Sequence, residues 1–321
     1  MSPSRRPRAA VLVGVDTEAD DQWSEAGRRA LSVRNAQRLP ALQALCDAVG
    51  VRPTYLVTHE MATREESAAV LRSLAATGRC EIGAHLHPWS SPPYRPEDLG
   101  GRYPHQLPSD LLRRQLRELT EAIEQGLGRR PTSYRAGRHG FDERSLLILE
   151  ELGYTVDTSV DPLFNERRKG GPVFAGAPLL PYRPDYGDVR RPGTARLLEI
   201  PVTAATTPPL PKRLERLYAS LPPIPYRGAF KRLGLRAVWL RPSYTSLPDM
   251  LSFATRLARQ DVPCFNILFH SSELLPGGSP YTPDQPSVDR FLDHLRRVLD
   301  HLTGRLGGVG RTYAEFATGW S

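Results

Sequence analysis

His85 and His87, in the stretch Glu81-Ile-Gly-Ala-His-Leu-His-Pro88, are spaced so that two imidazoles leave a strand on the same side. Two imidazoles that converge on one point can hold a metal ion. Asp16 and Glu18 stand in the same alternate relation at the end of an apolar run, so a strand continuing past that run would send both carboxylates into the same mouth. An Asp and a Glu beside two His form a mixed nitrogen and oxygen donor set. Such a set suits zinc, with Zn–N near about 2.0–2.1 Å and a position left for water. His270 closes the apolar run 265–269, where an imidazole could donate a proton to a leaving group. Arg135 opens Ala-Gly-Arg138-His139-Gly140, in which glycines permit close turns and a guanidinium could fix a carboxylate. Asp157 and Ser159 end another short apolar run. Singly, each motif also fits a plainer account: surface histidines, carboxylates that cap a helix, a surface arginine.

The elements that must carry these residues alternate. Strand-like segments at 10–16, 54–57 and up to the histidine pair are separated by helical spacing over 33–49 and 65–76. A proline-rich loop over 88–108 leads to Ser109, an N-cap candidate, and a helix to about Gly126. Residues 133–135 and 154–157 read as strands around a helix over 142–152 that Gly153 stops. The rhythm resumes with strand 197–202, helix 247–259, strand 264–270 and helix 287–302. This predicts an α/β fold, a distorted (β/α)7-type barrel in which polar residues gather at the carboxyl ends of strands. One domain over 1–321 is expected, with proline-rich loop insertions at about 161–192 and 206–248, the second carrying short helices near 212–220 and 229–234. Long irregular segments of this kind point to substrate specificity.

Composition narrows the function classes. The net charge is +8, but Lys occurs only at 169, 212 and 231, so 40 of the 43 basic residues are Arg. They interleave with acids along the helices, as in Arg113, Arg114, Arg117, Glu118 and Glu121, the pattern of a solvated face. With no nucleic-acid motif visible, no nucleic-acid partner is expected. Cys46, Cys80 and Cys264 are odd in number and set in apolar surroundings, which predicts buried free thiols in a reducing compartment. The basic Arg5-Arg6-Pro-Arg8 precedes a short apolar run that flows into Asp16-Thr-Glu18 and reads as a core strand, not a secretion signal. No stretch approaches the roughly 20 apolar residues of a membrane span. The expectation is a cytoplasmic protein; the sequence leaves the oligomeric state open.

Taken together, Asp16-Thr-Glu18, His85-Leu-His87, the run from Arg135 to Gly140, the run from Asp157 to Ser159, and Leu268-Phe-His270 resemble the motifs of the polysaccharide deacetylases, the NodB-homology group or carbohydrate esterase family four. The chain is most similar to the WalW-type branch, judged from Val-Asp-Thr-Glu, His-Leu-His-Pro-Trp, Arg-Ala-Gly-Arg and Pro276-Gly-Gly-Ser-Pro-Tyr281. It departs from the family pattern in three places. Asp-x-Glu replaces an adjacent Asp pair, H-x-H replaces H-x-x-x-H, and Gly137 stands where the third motif has proline. The resemblance implies a divalent metal, zinc by preference, on Glu18, His85 and His87. It implies Asp16 as general base positioned by Arg135, and His270 as general acid, for removal of acetyl groups from a sugar or glycan precursor. Trp89, Tyr94 and Tyr281 would stack on sugar rings, with Arg138, His139 and Asp157 also on the substrate side. Two alternatives stay open: a related glycan- or partner-binding domain without turnover, and an amidohydrolase-type enzyme, which would need its H-x-H on the first strand rather than the third.

Overall fold

A computed structural model describes residues 8–221, 230 and 232–320. Seven strands run parallel in one curled sheet: β1 (Ala10–Thr17), β2 (Thr54–Val57), β3 (Glu81–Leu86), β4 (Ser133–Ala136), β5 (Val156–Asp157), β6 (Leu198–Glu199) and β7 (Cys264–His270). Their spatial order is β7-β1-β2-β3-β4-β5-β6, the chain order bent into a half-barrel, and Val309–Gly310 extends the sheet beside the start of β1. The expected α/β barrel class is therefore the observed one. The two ends of the sheet do not form a ladder. Asn266 of β7 reaches across instead, its side-chain amide donating to the Ile200 and Pro201 carbonyl oxygens at 2.9 and 3.1 Å. Its backbone N–H donates to Thr203 Oγ1 at 2.8 Å.

Strand β1, Ala-Val-Leu-Val-Gly-Val-Asp-Thr, is buried along its whole length, as a central strand covered on both faces must be. Its alternation sorts the protein into two apolar clusters. Val11, Val13 and Val15 pack outward with the helical layer, alongside Leu42, Leu71, Leu116 and Leu295. Ala10 and Leu12 point inward with Leu56, Val156, Leu198 and Cys264, and Tyr313 and Phe316 join this inner cluster from the helix Tyr313–Thr318. Above this inner layer the same parity delivers Asp16 from β1, His85 from β3, Arg135 from β4 and His270 from β7.

The helices differ from expectation mainly at their ends. The run 33–49 is two elements, a 3-10 turn Arg34–Arg38 and the α-helix Leu39–Ala48, with Pro40 in the first turn where a missing N–H costs nothing. Ser109 is the first helical residue and not the cap: the Pro108 carbonyl already accepts from the Leu112 N–H at 2.9 Å. That helix, Ser109–Leu127, runs one residue past Gly126 and ends at Gly128 in a left-handed conformation. The stretch 161–192 holds an antiparallel ribbon of Pro184–Asp185 with Asp188–Pro192. Ala204–Thr207 likewise pairs with Arg236–Trp239, where irregular chain was expected. The helix Lys212–Ser220 is present. Of the helix expected near 229–234, residues 230 and 232 are helical and 233–234 form a turn, while 229 and 231 lie outside the described residues, as do Arg5, Arg6 and Pro7. Cys46, Cys80 and Cys264 are free thiols, with Cys80 only half-buried. Among the described residues no helix is long and apolar enough to cross a membrane.

Candidate functional site

The carboxyl ends of β1, β3, β4 and β7 surround a cavity of about 440 Å³ lined by Asp16, Glu18, His85, His87, Trp89, Arg138, His139, His270 and Tyr281. Glu18, His85 and His87 each offer a ligand atom, all within 4.8 Å of one another and all buried. The Glu18 carboxylate lies 2.7 Å from His87 Nε2 and 3.6 Å from His85 Nε2. His85 Nδ1 donates to the Arg135 carbonyl oxygen at 2.9 Å, which fixes the ring and leaves the Nε2 lone pair facing Glu18. His87 Nδ1 is buried without a hydrogen-bond partner. A Cβ on Gly137 would overlap that Nδ1 and the Leu86 carbonyl oxygen, so the His87 ring occupies the space a side chain at 137 would need. Trp89 stacks on the His87 imidazole with ring centres 4.1 Å apart and donates from Nε1 to Gln22 Oε1 at 2.7 Å.

The charges are set by burial and by one another. Burial alone would raise the Glu18 carboxyl, but His270 and the hydrogen-bonding His85 and His87 outweigh it and hold Glu18 well below its ordinary range. Burial pushes His87 down to about 4, which keeps it neutral near pH 7, the form that ligates metal. His85 goes the other way: burial disfavours its cation, yet Asp16 and Glu18 beside it raise it.

Arg135, fully buried, holds Asp16. Its Nη1 donates to Asp16 Oδ1 at 2.5 Å, Nη2 to Tyr313 Oη at 2.8 Å, and Nε to the Thr158 carbonyl oxygen at 3.0 Å. The Arg135 charge overcomes the effect of burial and keeps the Asp16 carboxyl below its ordinary value. The other Asp16 oxygen lies 3.8 Å from His270 Nε2. His270 in turn is oriented through Nδ1, which donates to Glu273 Oε1 at 2.9 Å, and Arg241 Nη2 donates to the same oxygen at 3.2 Å. Trp23 packs edge-on against His270 at 5.1 Å.

Ten of the twelve residues expected at a site line this cavity or bond its walls directly; Asp157 and Tyr94 do not. Tyr94 is 57% exposed and lies outside the lining; the residue before it, Pro93, is held to the helix Ser109–Leu127 by its carbonyl oxygen, which accepts from Gln115 Nε2 at 3.1 Å. Asp157 faces the outer side of β5, since Val156 and Thr158 take the inner positions. There it accepts from the Ser159 hydroxyl at 2.7 Å and stands beside its register partner Glu199, whose pKa burial and Asp157 push well up. Sequence reading missed Gln22, Trp23, Arg28, Tyr103 and the pair Arg241 and Glu273. Glu273 had a signal: it sits three residues after His270, the reach at which it also accepts from the His270 backbone N–H at 3.2 Å. Arg241 had none, because it comes from the long segment 206–248. That segment also supplies Tyr244, while Phe164, Glu166 and Lys169 reach the cavity from 161–192.

A family model described as polysaccharide deacetylase matches residues 20–156, a span containing His85, His87 and Arg135. No curated protein matches the chain. Among solved structures, a polysaccharide deacetylase candidate from Mycobacterium smegmatis superposes with a TM-score of 0.58 at 15% identity, covering 99% of this chain and 93% of that one. The 4-alpha-glucanotransferase of Thermococcus litoralis superposes at 0.51 with 16% identity, covering 98% of this chain and 41% of that one. At such identities the likeness is one of fold, and the second neighbour shows this fold carrying a different activity. The stretch 20–156 that matches the polysaccharide deacetylase family model runs from just after β1 to the first residue of β5 of the half-barrel.

Proposed function

We propose that this protein is a metal-dependent hydrolase that removes acetyl groups from an N-acetylated or O-acetylated sugar or glycan precursor, in the manner of the WalW-type deacetylases. The observation that carries this reading is the convergence of Glu18, His85 and His87 within 4.8 Å, with Asp16 and His270, 3.8 Å from each other, beside them. The donor set fits a divalent ion: two imidazoles and a carboxylate, His85 locked by its bond to Arg135 and His87 held neutral by burial. Zinc is the metal this set prefers, and when bound it would lower the pKa of a water and polarise an acyl carbonyl.

The residues of this chain divide the proton work. Asp16 keeps one carboxylate oxygen on Arg135, and its other oxygen is placed to take a proton from the attacking water. His270, with Nδ1 committed to Glu273, presents Nε2 to the cavity and there gives a proton to the departing amine or alcohol. Glu273 and Arg241 fix the imidazole plane, so the proton is delivered from a single direction. Trp23 and Tyr281, edge-on to each other at 5.4 Å, offer apolar surface against which a sugar ring can lie. A cytoplasmic setting, as the sequence suggests, goes with a soluble or carrier-linked precursor as substrate. The test is acetate release from a panel of N- and O-acetylated sugars by zinc-loaded protein, with and without a chelator. Chelator-sensitive release supports the reading, and no release from any member of the panel by protein with zinc demonstrably bound overturns it.

A further inference from the structure

The rim of the cavity holds a second arrangement that the hydrolytic chemistry does not use. The guanidinium groups of Arg28 and Arg138 meet over Gly101: a Cβ there would stand 3.2 Å from Arg138 Nη1 and 3.8 Å from Arg28 Cζ. Gly101 has φ +82°, so a residue without a side chain is needed on both counts. Two cations this close repel. Among the described residues, neither has a carboxylate within ion-pair distance, whereas Lys169 and Arg241 on the same cavity are each paired, with Glu166 at 2.9 Å and Glu273 at 3.2 Å.

Both unpaired arginines are nevertheless held in place. Arg28 donates to the backbone carbonyl oxygens of Leu99, Gln22 and Trp23 at 2.7, 3.0 and 3.1 Å. Arg138 lies 3.9 Å over the Tyr103 ring, and its Nη2 donates to Tyr103 Oη at 2.8 Å. Its backbone has φ +53°, a strained conformation for a residue with a side chain. Burial, with the charge of Arg138 next in weight, lowers the Arg28 pKa against the opposing pull of the Glu25 and Asp21 carboxylates. Strain and like-charge repulsion kept in a rigid frame describe a site that an anion would complete.

We infer that Arg28 and Arg138 bind an anionic oxygen group, a carboxylate or a phosphate, carried by the acetylated substrate, so that the preferred substrate is an acidic sugar rather than a neutral glycan. The acetyl half of this statement rests on the deacetylase reading; the anion half does not. Arg28 lies 5.6 Å from the Trp89 ring centre, and Trp89 stacks on His87 at 4.1 Å, so the anion would sit about one sugar ring from the proposed metal ligands.

Calorimetric titration of the full chain with N-acetylglucosamine 1-phosphate, an N-acetylated hexosaminuronic acid and neutral N-acetylglucosamine tests it. The expected result is binding of at least one acidic sugar about tenfold or more tighter than the neutral one, with the gap narrowing as salt rises. The tighter of the two acidic ligands identifies the group. Arg138→Gln should erase the preference and Arg138→Lys should restore part of it. Equal affinity for acidic and neutral sugars, an unchanged preference in Arg138→Gln, or no binding of any of the three would overturn the inference. An acidic preference in binding without acetate release supports the anion site and counts against hydrolysis. Equal acetate release from neutral and acidic sugars does the reverse.

Discussion

Asp16 and Asp157 are both buried aspartates near the carboxyl ends of parallel strands, and their surroundings give them opposite characters. Asp16 faces the interior of the half-barrel, where Arg135 keeps it ionised. Asp157 faces the outer layer beside Glu199, where burial raises its pKa. One residue of strand parity separates a carboxylate that can accept a proton in a substrate cavity from one that helps fasten β5 to β6.

The sharpest way to break this contrast is at the ligands. Replacing His87 or Glu18, as in His87→Ala or Glu18→Gln, should weaken zinc binding by at least about 100-fold, beyond the range typical of outer-shell changes, and acetate release should fall with it; dialysis against a zinc-sensitive dye reads the first. Asp16→Asn should leave zinc binding nearly intact while lowering acetate release by about 10²–10⁴-fold. It also strands the Arg135 charge in the interior, a loss of about 3–5 kcal/mol in denaturant unfolding. Asp157→Asn, the matched change on the outer face, should alter acetate release by less than about twofold and lower stability by about 1–3 kcal/mol, since both Asp157 oxygens accept from Ser159 and an amide can accept at only one of them.

Gly137→Ala should displace the His87 ring and weaken zinc about tenfold, an effect of the size seen for outer-shell substitutions, read by the same dialysis. The pH dependence of unfolding separates the two aspartate regions with a smaller signal. The Asp16 pKa is lowered from 3.8, so its contribution is present above that value and is lost as the pH falls below it. The Glu199 pKa is raised above 4.5, so its contribution is greatest in acid and declines as the pH rises past that value toward its folded pKa. Melting curves from acid to neutral pH should therefore lose a falling component in Glu199→Gln and keep the acid-side loss attributed to Asp16.

The inner residues were legible in the sequence because parity is simple: His85 and His87, and Asp16 and Glu18, are two apart on strands whose apolar runs are unmistakable. The same rule misplaced Asp157. Strand β5 is only two residues long, and nothing local says which of its faces is inner; Thr158, a less conspicuous residue, holds the inner position and binds Arg135. Tyr94 was misjudged because a proline-rich loop has no period from which direction can be read. Arg28, Tyr103 and Arg241 were invisible for a related reason: their place at the cavity depends on how loops fold back over the strand ends, which is tertiary information.

The fit of His87 against Gly137 ties together two departures from the deacetylase motifs the sequence resembles, which sequence alone presents as unrelated. A ring delivered two residues after His85 lies where a side chain at 137 would stand, and the Leu86 carbonyl oxygen closes the same space, so ring and backbone together require the glycine. Neither change is a free variable for evolution or for design. A lineage moving between the two patterns by single substitutions would have to cross an intermediate in which imidazole and side chain compete for one volume, and the crossing is smoothest if glycine arrives first.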